Sequence, residues 1–224
     1  MHIKTFTYNL IDAKMYILLE ETSALVIDPN ISEDAVRMLN KCGIENIKVI
    51  LTHEHYDHIS GVEWLRRQFE CEVYCSQKCN ANMQSPILNG SKYFKALFFD
   101  KGAEKMKEAS EVKPMVCYAD VIFKGEKKFV WKEHEIIMTE TPGHSQGSIC
   151  ILIDNKYLFT GDSLLKDFPV ITRLPGGSKK AYEEKTLPYL DSMDRDIYVY
   201  PGHGKSGYIK NFKYVNNTFE QCCL

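Results

Sequence analysis

The sequence lacks three features that would place it in other classes of protein. No apolar run approaches the length of about 20 residues that spans a bilayer, and the first residues, Met1–Thr5, lack the basic-then-apolar order of a secretion signal. Lysines and arginines are scattered through a chain of net charge −2, so no clustered basic face indicates nucleic-acid binding. These absences predict a cytoplasmic protein that acts on a small molecule, with neither membrane nor nucleic acid as a partner.

Without an export signal, the eight cysteines are expected to remain reduced thiols rather than to form disulfides. Cys71, Cys75 and Cys79 are spaced by four residues, but the residues between the first two predict a strand. We therefore expect these three thiols not to converge on an ion. Cys222 and Cys223 close the chain, where we expect a reduced tail.

The length of 224 residues and the 44% hydrophobic content are sufficient for one complete core, so we expect a single domain over residues 1–224. The first half alternates strand and helix patterns: a hairpin pattern over Phe6–Leu19 and Ala24–Ile27 precedes a helix that Ser32 can cap. A strand pattern follows at residues 47–51 and leads into a loop rich in histidine.

Residues 77–113 interrupt this alternation, because Ser85-Pro86 and Asn89-Gly90 are turn signals. The stretch also contains the dense aromatic run Tyr93–Phe99. Two interpretations stay open at this point. The segment is either part of the core or an insertion that forms a lid over a binding site.

The most informative stretch is Thr-His-Glu-His-Tyr-Asp-His at residues 52–58, which contains three of the seven histidines of the chain. A strand that ends in such a loop can direct His53 and His55 at one ion while Asp57 and His58 face a neighbouring one. Imidazole and carboxylate ligands together suit zinc, iron or manganese. The loop therefore predicts a catalytic metal site.

Three further apolar runs each end in a potential ligand beside glycine or proline, which permit tight turns. The potential ligands are His144, Asp162 and His203. Asp28 also ends a strand, and it has two interpretations: a hydrogen-bond partner of a ligand imidazole, or a turn cap. The recurrence of this arrangement predicts that the candidate ligands meet at a shared centre.

These motifs together make the sequence resemble the metallo-β-lactamase-fold hydrolases, most closely the glyoxalase II-like (hydroxyacylglutathione hydrolase-like) branch. The resemblance covers nearly the whole chain and depends on four motifs: Thr52–Gly61, Thr141–Ser148, Phe159–Leu164 and Tyr200–Gly204. It implies a four-layer αββα sandwich of two mixed β-sheets with helices outside. The metals would lie at one edge, between the sheets.

The resemblance also implies a role for each candidate ligand. The first metal would be held by His53, His55 and His144, the second by Asp57, His58 and His203, and Asp162 would bridge them. Two cations hold a water between them and lower its pKa from about 15.7 toward about 7, which supplies hydroxide at neutral pH. Asp57 would in addition orient this hydroxide or accept its proton, and is the predicted catalytic residue. We expect zinc first. Iron and manganese remain alternatives, because the ligand set contains no thiolate that would select one ion.

The implied activity is hydrolysis of a thioester, ester or lactone of a small molecule. Lys166 and Arg173 lie where an anionic substrate would be bound in the family, although a solvent-facing charge is an equal interpretation of Lys166. The chain ends soon after His203, whereas glyoxalase II itself has a helical C-terminal domain that helps to bind glutathione. Hydrolysis of glutathione thioesters therefore does not follow from the resemblance.

Two alternatives within the same fold remain. A persulfide dioxygenase with one iron uses a subset of these ligands, and a phosphodiesterase shares the histidine-rich loop. A class B β-lactamase is disfavoured because this chain has Asp162 where those enzymes have cysteine, and a flavodiiron oxidoreductase would have glutamate in place of His55.

Overall fold

The computed structural model describes residues 1–212, and the predicted tail with Cys222 and Cys223 lies outside the described residues. The first of two six-stranded sheets has the strand order β1-β2-β3-β4-β5-β6. Its strands are β1 (His2–Tyr8), β2 (Ala13–Glu20), β3 (Ser23–Ile27), β4 (Asn46–Ile50), β5 (Glu70–Ser76) and β6 (Val121–Phe123). The pairs from β1 to β3 are antiparallel and those from β3 to β6 are parallel, so the sheet is mixed.

The second sheet has the order β12-β11-β10-β9-β8-β7. Its strands are β7 (Glu126–Trp131), β8 (His134–Glu140), β9 (Ile149–Ile153), β10 (Tyr157–Gly161), β11 (Tyr198–Pro201) and β12 (Gly207–Tyr208). Only β10 and β11 pair in parallel among these described strands. This sheet is therefore mixed as well.

Short helices connect the strands. The α-helices are α1 (Glu33–Lys41), α2 (Tyr56–Ile59), α3 (Val62–Arg66), α4 (Gln77–Met83), α5 (Ala103–Ser110), α6 (Lys179–Ala181) and α7 (Leu187–Asp191). Two 3-10 helices cover Ser91–Phe98 and Ile209–Asn211, and a π-helical turn over Tyr182–Thr186 joins α6 to α7. Ser32 caps α1 as predicted, because its Oγ accepts a hydrogen bond from the Ala35 N–H at 3.3 Å.

Side chains of β2 alternate between two cores, as the two-residue period of a strand requires. Met15 and Ile17 pack outward against α1 and α3, whereas Tyr16 and Leu18 face the second sheet. The outer face of the second sheet is covered in turn by α7, through Leu190. Helix, sheet, sheet and helix layers follow one another, which confirms the predicted sandwich of two mixed sheets.

The predicted run Phe6–Leu19 is divided into two strands, β1 and β2, by a turn at residues 9–12. The Asp12 N–H donates to the Tyr8 carbonyl at 2.8 Å, and Asp12 adopts a positive φ of 61°. Asparagine and aspartate favour such turns. Asn9 and Asp12 were not recognised as a turn signal because the residues around them are aromatic and β-branched. The turn matters because it reaches the site described below.

Residues 77–113 are more regular than the turn signals predict, since they contain α4, the first 3-10 helix and α5. Phe94 and Phe98 of the aromatic run are buried against Leu10, while Tyr93 and Phe99 are exposed. The segment therefore packs part of its aromatic run against the turn between β1 and β2 and exposes the rest.

The cysteines behave as the strand pattern indicates. Cys71 and Cys75 lie on β5 and Cys79 lies in α4, and no potential metal-binding group found within residues 1–212 includes a cysteine. Within the same residues, every helix is too short or too polar to traverse a bilayer.

Candidate metal centre

Loops at the carboxyl ends of four strands bring the seven candidate ligands together. The loop after β4 supplies His53 and His55, and α2 directly beyond it supplies Asp57 and His58. The remaining three follow β8, β10 and β11, and they are His144, Asp162 and His203.

His53, His55 and His144 form one group, with one nitrogen from each ring lying within 4.8 Å of the others. His144 Nε2 is 2.9 Å from His55 Nδ1. The His53 ring lies edge-on to both partners, at centroid distances of 4.7 and 4.9 Å. Three imidazoles around one point, of which those of His53 and His144 are buried and that of His55 is half-buried, are a typical zinc-binding arrangement.

Asp57, His58 and His203 form the second group, whose ligand atoms also lie within 4.8 Å of one another. His203 Nε2 is 3.2 Å from Asp57 Oδ2 and 3.3 Å from His58 Nε2. Asp57 and His58 are adjacent in α2, so a single helical turn positions both of them.

Asp162 lies between the two groups. Its Oδ2 is 3.5 Å from His144 Nε2 of the first group and 3.5 Å from His203 Nε2 of the second. Its Oδ1 is 3.6 Å from His58 Nε2. One carboxylate therefore faces both groups.

In three of the histidines, a hydrogen bond at Nδ1 leaves Nε2 to face the centre. His144 Nδ1 is 2.8 Å from the Ile171 carbonyl and His203 Nδ1 is 3.1 Å from the Ile11 carbonyl. His58 Nδ1 is 2.8 Å from the Asp28 carboxylate. Carbonyls and carboxylates only accept hydrogen bonds, so each Nδ1 carries a proton. In the neutral rings, the Nε2 lone pairs then point inward and can bind a cation.

His53 is oriented through Thr52. The Thr52 hydroxyl donates to Asp28 Oδ2 at 2.5 Å and lies 3.1 Å from His53 Nδ1, from which it can accept. His53 Nε2 is left buried without a hydrogen-bond partner, as is Asp162 Oδ1. Buried polar atoms without partners are costly unless an ion or ligand satisfies them. Asp28 is thus a hydrogen-bond partner of the centre, which decides between its two interpretations.

The electrostatics of the centre also favour a cation. Burial and the neighbouring imidazoles lower the pKa of His55 to about 3. Burial also disfavours the charged form of His58, but Asp57, Asp28 and Asp162 outweigh it and raise the pKa of His58 to about 10. The negative field that favours a proton on His58 equally favours a divalent cation at the same place.

Gly202 is required where the last loop approaches the centre. A Cβ at this position would lie 2.3 Å from Asp162 Oδ1 and 2.7 Å from His58 Cε1. Any side chain would therefore displace the Asp162 carboxylate or the His58 imidazole.

Several supporting groups have little or no sequence signal. The Ile11 and Ile171 contacts use backbone carbonyls, which any residue provides. Glu54 is fully buried among the ligands, where burial raises the pKa of its carboxyl group. Its position between His53 and His55 was the only sequence feature that could have indicated a role for Glu54.

The two candidate substrate-binding residues lie outside this cluster. Arg173 is exposed, two residues beyond the carbonyl that binds His144. Lys166 is half-buried, with its Nζ 3.1 Å from the point where a Cβ of Gly207 would lie. No ion pair found within residues 1–212 includes either residue, so neither charge is neutralised by a carboxylate there.

Comparison with known proteins relates this chain to a family that includes metallo-hydrolases. The model of the metallo-beta-lactamase superfamily matches residues 12–203. A probable metallo-hydrolase of Streptococcus pyogenes is 27% identical over 207 residues, which cover 91% of this chain and 84% of the relative. A hydroxyacylglutathione hydrolase of Glaesserella parasuis is 24% identical over 221 residues, covering 96% of this chain and 74% of that protein.

Three solved structures have the same fold at sequence identities below 25%. The BLEG-1 B3 metallo-beta-lactamase superposes with a TM-score of 0.79 at 24% identity, covering 96% of this chain and all of the other. ETHE1 from Myxococcus xanthus gives 0.71 at 22% identity, covering 96% and 83%. TTHA1623, solved in a di-iron-bound form, gives 0.73 at 20% identity, covering 96% and 98%.

Proposed function

We propose that this chain, which belongs to the metallo-beta-lactamase superfamily, is a dinuclear-metal hydrolase that cleaves a thioester, ester or lactone of a small molecule. The observation that supports this most is the position of Asp162, whose Oδ2 lies 3.5 Å from a nitrogen of each imidazole group. A mononuclear site could use Asp162 with the imidazoles of one group, but it would leave the ligand atoms of the other group without an ion.

The residues divide into two proposed ligand sets. One ion would be held by His53, His55 and His144, the other by Asp57, His58 and His203, with Asp162 shared. When bound, two divalent cations lower the pKa of water and polarise a carbonyl group, which are the requirements of ester hydrolysis. Zinc is the first candidate, with iron or manganese as alternatives.

Asp57 has a second proposed role besides binding metal. Burial opposes the charged form of this carboxylate, but His58 and His203 hold its pKa well below the usual range, so it is ionised at neutral pH. An ionised carboxylate at the edge of the ligand set can accept a hydrogen bond from the attacking water and keep it in line with a substrate carbonyl. Asp57 is therefore the proposed catalytic residue.

The loop after Asp162 is the proposed substrate side of the centre. Phe168 and Ile171 expose apolar side chains there, and Arg173 offers a planar guanidinium suited to a carboxylate group. We propose a small anionic substrate in the cytoplasm, with Lys166 as a second positive charge. Neither a nucleic acid nor a membrane is a proposed partner.

A substrate screen with metal-loaded protein tests this proposal. Thioesters, lactones, phosphodiesters and persulfides would be compared for wild type and Asp162→Ala. We expect thioester, ester or lactone hydrolysis in the wild type, and its loss in the variant because the bridge between the two ions is removed. Asp34→Ala, which removes an exposed aspartate of α1 on the outer face, is the matched control and should retain full activity.

The same screen separates the two alternatives. Hydrolysis that survives Asp162→Ala would contradict the dinuclear proposal. Oxygen consumption with a persulfide by protein that contains one iron would replace it with a dioxygenase, and exclusive cleavage of phosphodiesters would replace the carbonyl substrate.

A further inference from the structure

We infer that Glu54 is a positioning residue that fixes the loop carrying His144 against the loop carrying His55, and thereby controls the affinity of the three-imidazole site. The inference rests on the proposed metal centre for its functional meaning.

The Glu54 carboxylate joins two separate parts of the fold. Its Oε1 accepts a hydrogen bond from Asn82 Nδ2 of α4 at 2.8 Å. Its Oε2 accepts one from the Ser145 hydroxyl at 2.9 Å. The side chain is fully buried, so no water competes for either oxygen. Glu54 is thus connected directly to the residue that follows His144.

The Ser145 contact organises the rest of the His144 loop. Because the Ser145 hydroxyl donates to Glu54, it can accept from the Ser148 hydroxyl, which lies 2.9 Å away. Ser148 Oγ in turn accepts from the Ser145 N–H at 3.1 Å. The loop is closed by a ring of hydrogen bonds whose outer anchor is Glu54.

The His144 loop also packs closely at Gly147. A Cβ at Gly147 would lie 2.4 Å from Glu54 Oε2 and 2.4 Å from the Cys79 amide nitrogen of α4. The Ser76 hydroxyl, which caps α4, also donates to the Gly147 carbonyl at 2.8 Å. The loop is therefore clamped between Glu54 and the start of α4, and His144 Nε2 is held 2.9 Å from His55 Nδ1.

The two oxygens of Glu54 allow its roles to be separated. The bond to Ser145 leads to a candidate ligand, whereas the bond to Asn82 leads to a helix without one. Ser145→Ala should therefore reproduce the effect on the site, and Asn82→Ala should lower Tm without it. Glu54→Gln can keep both contacts, since an amide oxygen can accept from Asn82 while the amide nitrogen donates to Ser145.

The first measurement is hydrogen–deuterium exchange of the full-length protein after chelation of metal. We expect residues 143–148 to exchange about tenfold faster in Glu54→Ala than in wild type, because the ring of hydrogen bonds loses its anchor. Exchange in β2 should be unchanged. Glu54→Gln should match wild type in both regions.

The second measurement is titration with Co²⁺, followed by its visible absorption, which responds to the geometry of each site. Glu54→Ala and Ser145→Ala should bind the ion of the three-imidazole site about 10- to 100-fold more weakly, the size expected for loss of a residue that orients ligands. The ion at Asp57, His58 and His203 should bind as in wild type. Asn82→Ala should bind both ions normally.

Equal weakening of both ions in Glu54→Ala, or weakening in Asn82→Ala as large as in Ser145→Ala, would overturn the inference and leave Glu54 a general stabiliser of the fold. If Glu54→Ala does not fold, the Co²⁺ affinity of Ser145→Ala tests the inference instead. Wild type that binds fewer than two ions would count against the dinuclear proposal, whereas the exchange comparison would still decide the role of Glu54.

Discussion

Asp28 Oδ2 lies 2.8 Å from His58 Nδ1, and the same oxygen accepts a hydrogen bond from the Thr52 hydroxyl that orients His53. One buried carboxylate therefore orients a ligand of each proposed site. Asp28 does so from a left-handed backbone conformation, with φ of 52°. Such strain persists where the surroundings hold it, and here three hydrogen bonds to the carboxylate hold it.

Asp28→Ala is predicted to weaken metal binding about 10- to 100-fold, because His58 and His53 lose the partner that orients them. The measurement is competition with a chelator of known affinity. Asp154→Ala is a close control: Asp154 also has φ of 52°, its Oδ2 also contacts a histidine Nδ1, that of His134, at 2.6 Å, and its Oδ1 also accepts a backbone N–H.

The control variant should lose stability without any change in metal affinity, since no candidate ligand contacts Asp154. Equal metal affinity in Asp28→Ala and wild type would mean that the ligands are oriented without Asp28.

Gly202→Ala is predicted to disrupt the centre, since the added methyl group would lie 2.3 Å from Asp162 Oδ1. We expect loss of about one bound ion per chain and a decrease in kcat/KM of about 100-fold or more. Metal analysis and steady-state kinetics measure these effects. Gly125→Ala is the control, because its φ of 74° makes alanine strained while the space around it is empty.

Gly125→Ala should cost about 1–2 kcal/mol of unfolding free energy through backbone strain and leave the metal content unchanged. A Gly202→Ala variant that binds both ions and retains activity would show that the loop can shift without cost.

Arg173→Ala is predicted to raise KM for an anionic substrate while metal content and kcat change little, because a contact outside the ligand set is removed. The companion variant Arg67→Ala removes an exposed arginine at the end of α3 and should behave as wild type. Loss of metal in Arg173→Ala would instead make the loop beside Ile171 a structural support of His144. No change with any substrate would remove Arg173 from the proposed pocket.

The candidate ligands can be named from the sequence because their signals are local. His53, His55, Asp57 and His58 lie within six residues, and each remaining candidate ligand follows an apolar run beside a glycine turn. Strand ends at one edge of a sandwich then bring them together. The prediction of two mixed sheets with helices outside came from the family resemblance that these motifs carry, and the order of strand and helix patterns was compatible with it.

The supporting contacts could not be predicted, because they depend on chain positions far apart in sequence. The Ile11 carbonyl reaches His203 across 192 positions, from a turn that the sequence pattern did not reveal. Glu54 accepts a hydrogen bond from Ser145, which lies 91 positions away in the sequence. A lone glutamate in a polar loop has no periodicity that would indicate burial. Two interpretations of Asp28 remained open until its distance from His58 was known.

The most direct test of the proposed dinuclear centre is the number of transition-metal ions per chain, measured by elemental mass spectrometry on protein purified without chelator. Seven side chains converge in two groups joined by Asp162, so we predict close to two ions of zinc, iron or manganese per chain. Asp162→Ala should reduce this number, because the shared ligand is lost. One tightly bound iron per chain in the wild type, with no second ion taken up on titration, would contradict the dinuclear hydrolase.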